Sequence, residues 1–312
     1  MAKRIEDLCP RPQLSPVLPG EPLAPPIHLS SVYRCQTPEQ AAAMLAGELP
    51  GYVYRRDGHP NADFLAEKCR QLHSAERAAV TASGMGALAL ALVSQTTAGD
   101  HLIVSSRLYG RSHALLVDEA AARGLSSTVV DTSHLTAIEE AITPSTRLIV
   151  VETITNPLLR VANLSALADL AHEHELLLVV DNSLAGPAIC RPLELGADLV
   201  VESLTKSMNG HSDVLLGMLA GSDRVWNRVP GALSTWGWTA APFDCWLAAR
   251  GLETLALRSQ RAAENALAVA RFLATGPAAI EVVHYPGLPN HPDHDLAARQ
   301  FEGRFGSLVT FT

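Results

Sequence analysis

The sequence has 312 residues, 47% of them hydrophobic and 18% charged, and a net charge of -8. That is enough to bury one large core, or a large one with a smaller companion. The acidic excess and scattered charges leave no basic stripe for nucleic acid or anionic lipid, and no apolar run is long enough to span a bilayer.

Residues 1–50 are rich in proline and read as an extended N-terminal arm of the kind that lies on a partner subunit, with Pro25-Pro26 leading into a short apolar segment. The first residues include Lys3, Arg4, Glu6 and Asp7 and lack the apolar core of a signal peptide. Cys9, Cys35, Cys69, Cys190 and Cys245 are far apart and form no Cys-x-x-Cys pair. They read as reduced thiols, and a cytoplasmic protein is expected.

From about residue 51 the chain alternates leucine-rich or β-branched runs with helical patterns, the signature of an α/β domain with a mostly parallel sheet. The clearest strands are residues 78–82, 101–105, 147–152, 176–180 and 198–202, each followed by polar, glycine or proline residues. In parallel sheets the loops leaving the carboxyl ends converge on the ligand, so polar residues there carry functional weight. One long helix is expected over residues 243–274, then strands at 280–284 and 307–312. The division read from this pattern is an arm over 1–50, an α/β domain over 51–241 and a connecting helix with part of a second domain over 242–312.

Three strand exits carry candidate chemistry. The first strand runs into Ser83-Gly84-Met85-Gly86, with a helix expected over residues 87–93; glycines and free amides at a helix start suit a phosphate. By itself Gly-x-Gly serves tight packing turns as often as anions. Asp181 ends the strand 176–180, where a carboxylate among hydrophobes needs a cationic or hydrogen-bonding partner. Asp181-Asn182-Ser183 is also good turn chemistry, and both readings stay open. The strand 198–202 enters Ser203-Leu204-Thr205-Lys206, where a buried lysine of lowered pKa would capture an aldehyde cofactor. A surface lysine after a strand is the plainer alternative.

Together these residues resemble the Cys/Met-metabolism family of pyridoxal-phosphate (PLP) enzymes, which includes cystathionine γ-synthase, cystathionine lyases and methionine γ-lyase. The likeness runs in order through Pro25-Pro26-Ile27, Tyr54-Arg55-Arg56, Ser83-Gly84-Met85, Leu108-Tyr109-Gly110, Glu152-Thr153, Asn156-Pro157, Asp181-Asn182-Ser183, Ser203-Leu204-Thr205-Lys206, Asn209-Gly210-His211-Ser212-Asp213, Arg250 to Leu255 and Tyr285-Pro286-Gly287. It implies the PLP-dependent transferase-like fold of type I: a large α/β domain plus an incomplete smaller C-terminal α+β domain.

By that resemblance Lys206 holds PLP as a Schiff base and moves the substrate α-proton, while Asp181 keeps the ring nitrogen protonated. Gly84, Met85, Ser203 and Thr205 hold the phosphate, Tyr109 stacks on the ring and assists proton transfer, and Asn156 touches the ring hydroxyl. Tyr54 and Arg56 reach the phosphate of a neighbouring subunit, which implies a homo-oligomer, dimer or tetramer. Read without the family, Tyr54 is a packing aromatic and Arg56 a solvated charge.

The pattern also departs from the family. Gly58-His59-Pro60-Asn61 replaces Gly-Asn-Pro-Thr, with Asn61 expected to cap the next helix. Arg111 follows Tyr109-Gly110 where glycine or cysteine is common, which would bring a bulky cation into the substrate side of the pocket. The chain stops on Gly306 to Thr312, in what reads as the middle of the smaller domain; family members continue with a Ser-Leu-Gly segment beside the cofactor and an arginine for the substrate carboxylate. His172 and His174 read as solvent-facing, and His291, Asp293 and His294 as structural, with no metal site expected.

The resemblance implies a transsulfuration-type enzyme performing β/γ-elimination or γ-replacement on a sulfur amino acid or activated homoserine. The Tyr285-Pro286-Gly287-Leu288-Pro289 segment tilts the reading to C–S lyase over synthase. The alternatives are a PLP-binding truncated or accessory subunit without independent catalysis, and an aminotransferase of the same general fold.

Overall fold

The computed structural model describes residues 22–276 and 280–312. The first 21 residues of the expected arm lie outside the described residues, and with them Cys9 and the stretch weighed as a signal peptide. The rest of the arm is not wholly extended. It contains the helix α1 (Pro38–Leu45), begun by Pro38 and capped by Thr37, whose side chain accepts from the Gln40 amide. No residue of α1 is buried.

Next come α2 (Pro60–Leu72), β1 (Arg77–Thr81), α3 (Gly84–Gln95), β2 (His101–Ser105), the short α4 (Gly110–Ala114) and β3 (Ser126–Val130). They are followed by α5 (Leu135–Ala141), β4 (Thr146–Glu152), α6 (Leu164–Glu173), β5 (Leu177–Asp181), β6 (Leu199–Ser203) and β7 (Gly217–Gly221). The remaining elements are α7 (Val229–Trp236), α8 (Pro242–Leu252), α9 (Leu255–Thr275), β8 (Val283–His284), α10 (His294–Gln300) and β9 (Thr310–Phe311). β1 to β7 form one sheet in the order β1-β7-β6-β5-β4-β2-β3, and β8 pairs with β9. β7 runs antiparallel to both β1 and β6, and the other central pairings are parallel.

Both faces of this sheet are covered, which explains why its strands are apolar runs rather than alternating ones. Leu102, Val104, Leu148, Val150, Val179, Val201 and Leu219 pack with Leu88, Leu90 and Leu92, on one side. On the other, Ile149, Val151, Leu178 and Val180 meet Leu164, Leu167 and Leu170, while Val200 and Met218 meet Leu65, Cys69, Leu72 and Leu252. Each such side chain contributes about 1.5–3 kcal/mol on full burial.

Several expectations needed correction. Helix α3 begins at Gly84 instead of residue 87, because Ser83 caps it by accepting from the Gly86 amide at 3.0 Å. His59, not Asn61, caps α2, its Nδ1 accepting from the Ala62 amide at 3.2 Å. Asn61 is buried instead, donating to the Pro26 carbonyl and accepting from the His28 amide, each at 2.8 Å, so it ties the arm to α2. The expected single helix over 243–274 is two, α8 and α9, broken at Glu253-Thr254. Gly251 lies against the backbone of Asn209 there, so close that a Cβ would sit 2.6 Å from the Asn209 carbonyl oxygen.

Candidate active site

The strand exits of the sheet deliver the polar residues to one place. A cavity of about 330 Å³ is lined by Ser83, Gly84 and Met85 after β1, Tyr109 and Ser112 after β2, and Glu152 and Asn156 at and after β4. Asp181 and Ser183 close it from β5, and Ser203, Thr205 and Lys206 from β6. Eight of the ten residues picked from the sequence are therefore brought together: Gly84, Met85, Tyr109, Asn156, Asp181, Ser203, Thr205 and Lys206. Tyr54 and Arg56 are not. Both are exposed and line a separate shallow cleft with Ser31, Arg55, Gly237 and Thr239, where the Arg56 guanidinium lies 5.1 Å from the Tyr54 ring centre.

The Ser83–Met85 wall is built by close approach. A Cβ on Gly84 would lie 2.9 Å from Ser203 Cβ, and one on Gly217 would lie 2.6 Å from the Ser83 carbonyl carbon and 2.7 Å from Gly84 Cα. Glycine at both positions lets β7, the β6 exit and the start of α3 meet. The Gly84 and Met85 amides sit in the first turn of α3, where no intrahelical acceptor exists, and the helix dipole favours an anion there. Thr205 Oγ1 is tied to Leu216 in both directions, donating to its carbonyl at 3.2 Å and accepting from its amide at 3.1 Å.

Lys206 differs from the expected buried amine: it is exposed toward the open cavity, on the turn that follows β6. Its Nζ lies 6.0 Å from the Tyr109 ring centre. Behind it, Arg258 donates to the carbonyls of Ser207 at 2.8 Å, Met208 at 3.0 Å and Gly251 at 2.8 Å, fastening the lysine turn to α8 and α9.

Asp181 accepts the Ser183 amide at 2.9 Å. Burial raises its carboxyl above the usual range, against the Ser183 hydrogen bonds and the Lys206 charge. A cation at its carboxylate would reverse that. Glu152 stands beside it in the sheet register; burial first, and the Asp181 carboxyl second, push Glu152 up to about 7. Beneath both runs a fully buried polar chain. Thr153 Oγ1 donates to Asn182 Oδ1 at 2.7 Å, Asn182 Nδ2 donates to Glu202 Oε1 at 2.6 Å, and His73 Nε2 lies 3.2 Å from the same Glu202 oxygen.

These residues fit PLP: amides and a glycine-tight wall for its phosphate, an anion for its ring nitrogen, an amine for its aldehyde and an aromatic face for its ring. The comparisons agree. The Cys/Met metabolism PLP-dependent enzyme family matches residues 19–312. The chain belongs to this family.

Among its relatives are an L-methionine gamma-lyase of Porphyromonas gingivalis, 41% identical over 93% of this chain and 73% of that protein, and an O-succinylhomoserine sulfhydrylase of Pseudomonas aeruginosa, 41% identical over 90% and 70%. A putative O-acetylhomoserine (thiol)-lyase of Campylobacter jejuni, whose structure holds N'-pyridoxyl-lysine-5'-monophosphate, superposes with a TM-score of 0.92, covering 99% of this chain and 85% of that one at 25% identity. The chain is thus a PLP-dependent enzyme of fold type I.

Other residues of the sequence reading fall outside the cavity wall. Arg111 is exposed on α4 and, unlike its neighbours Tyr109 and Ser112, does not line the cavity. His174 is exposed, whereas His172, also largely exposed, reaches the buried Asp198 with its Nε2 at 3.2 Å. Asp293 pairs with Arg160 and accepts the Val161 amide at 2.9 Å, and His294 Nδ1 lies 2.8 Å from the Pro286 carbonyl, so both join loops. The four described cysteines are free thiols. Among the described residues no helix is long and apolar enough to cross a membrane.

Proposed function

We propose that this chain cleaves or exchanges bonds to sulfur at the β- or γ-carbon of an amino acid, with C–S elimination favoured over replacement. The observation that carries the reading is the joint placement of Lys206, Asp181 and the Ser83–Met85 wall around one cavity. When bound there, PLP supplies the electron sink next to the substrate α-carbon.

The rest is the work of this chain's own residues. Lys206, on its fastened turn, would hold the cofactor aldehyde, and its free amine is the base placed to take a proton from the substrate α-carbon. Asp181 holds the proton on the ring nitrogen. The Gly84 and Met85 amides, with the Ser203 hydroxyl and the turn shaped by Thr205, hold the phosphate. Tyr109 covers the ring and can pass a proton to the departing sulfur, and Asn156 orients the ring hydroxyl.

Tyr54 and Arg56, on a separate cleft of their own subunit, serve the phosphate of a neighbouring copy in this reading, so a homo-oligomer of dimer or tetramer size is part of it. The division at residues 50 and 241 and a cytoplasmic setting belong to the same reading. Similarity to a methionine gamma-lyase supports the elimination branch, and equal identity, 41%, to an O-succinylhomoserine sulfhydrylase makes replacement the branch the assay must separate from it.

The test is to supply methionine, cystathionine, cysteine and acylated homoserines in turn and to assay 2-oxo acid and released thiol, with and without an added thiol. Release of 2-oxo acid and thiol without an acceptor supports elimination. Product that requires an added thiol moves the assignment to replacement. Cofactor binding without turnover of any substrate supports the accessory-subunit alternative, and pyridoxamine phosphate formed from an amino donor supports an aminotransferase.

A further inference from the structure

We propose that Glu152 is the positioning residue that holds Tyr109 against Lys206. This rests on reading the cavity as a PLP site, in which Tyr109 covers the ring. Tyr109 is a poorly anchored residue by packing, with 52% of its surface exposed. It is the N-cap residue of α4 and makes no side-chain hydrogen bond to cap that helix. Its amide, however, donates to Glu152 Oε1 at 2.7 Å, the short distance of a hydrogen bond to a carboxyl group. Glu152 is the last residue of β4, in the middle of the sheet and only 6% exposed. A rigid strand end therefore fixes the backbone from which the Tyr109 ring extends toward Lys206.

The surroundings show why the carboxyl is spent on this contact. Asp181 on β5 repels it, and Lys206 after β6 attracts it more weakly than burial penalises it. On its other side Glu152 borders a small cleft with Arg107, Asp131 and Arg160. Arg107 is paired with Asp131 at 2.7 Å and Arg160 with Asp293 at 2.5 Å, so each arginine has its own carboxylate. A buried carboxyl beside a second carboxyl opposes stability, and here its hydrogen bond goes to the amide of a cavity-lining residue. That is the arrangement of a group kept for the site's geometry.

The full chain tests this as wild type, Glu152→Gln and Glu152→Ala. Glutamine presents the same acceptor oxygen without charge, whereas alanine removes it. Amide hydrogen exchange, followed by mass spectrometry on the cofactor-free protein, reads the contact directly. Exchange in the peptide containing Tyr109 should accelerate about tenfold or more in Glu152→Ala and stay within about twofold of wild type in Glu152→Gln. The visible band formed with added PLP should follow the same order, with about tenfold weaker binding in Glu152→Ala alone.

Unchanged exchange in Glu152→Ala overturns the proposal, as does Glu152→Gln exchanging as fast as Glu152→Ala. Acceleration that spreads through β4 and β5 also overturns it, since that is a general structural role. If the wild type forms no visible band, the cofactor reading fails, while the exchange comparison still decides the Glu152–Tyr109 contact.

Discussion

Replacing Gly217 by alanine probes how the phosphate wall is held in place. Its Cβ would meet the Ser83 carbonyl carbon at 2.6 Å and Gly84 Cα at 2.7 Å, and both atoms are backbone. Carbon pairs settle at about 3.5–4.0 Å, so the Ser83–Gly84 segment must move by roughly 1 Å. A shift of that size takes an amide out of hydrogen-bond range of a phosphate oxygen. Each charge-assisted hydrogen bond lost costs about 1.5–3 kcal/mol, or roughly 10- to 150-fold in PLP affinity. The fold itself should lose about 1–3 kcal/mol from the overpacking. The assay is titration of the cofactor-free protein with PLP, read by visible absorbance, alongside urea unfolding. Gly231→Ala is the control, because nothing lies within 4 Å of a Cβ there. Wild-type affinity in a folded Gly217→Ala protein would refute the reasoning.

Two further outcomes follow from the buried carboxyls. Burial lifts the Glu152 carboxyl from its ordinary 4.5 to about 7 in the folded chain, so its contribution to stability is present below pH 4.5 and is lost as pH rises through 7. Glu152→Gln should therefore match the wild type near pH 4.5 and gain above pH 7, by on the order of 3 kcal/mol at most; urea unfolding of the cofactor-free protein at both pH values checks this, and an equal difference at both would contradict it. His73→Leu removes the imidazole that faces the buried Glu202 carboxyl at 3.2 Å and should cost about 1–3 kcal/mol in unfolding free energy. A loss below about 0.5 kcal/mol would mean that the pair carries no such weight.

Much of this was legible because the strand exits announce themselves. Residues 101–105 read as a strand from their β-branched and leucine content; Asp181 stands out as a charge directly after an apolar run, and Lys206 as a charge in the turn that leaves one. β3 was missed because Ser126–Val130 is a polar, half-exposed strand at the sheet edge. β7 is hard to read because Gly217–Gly221 has no β-branched residue, although every position is buried; Gly217 serves the close approach to Ser83 and Gly221 the close approach to Asp198 and Leu199 instead of strand propensity. Glu152 ends an apolar strand just as Asp181 does, so its place in the sequence carries the same signal of a site residue. The Pro26 and His28 backbone partners of Asn61, and the Ser207 and Met208 carbonyls that Arg258 reaches, lie far away in the chain, and no local pattern encodes them.

Lys206 is the residue on which cofactor capture depends, and the deciding measurement is the visible absorption spectrum of the purified full chain with PLP, beside Lys206→Ala. The wild type should form a band that survives removal of free cofactor, and Lys206→Ala, with the same fold by circular dichroism, should not form it. A band of equal intensity and position in Lys206→Ala, or none in the wild type, would contradict the assignment of this lysine.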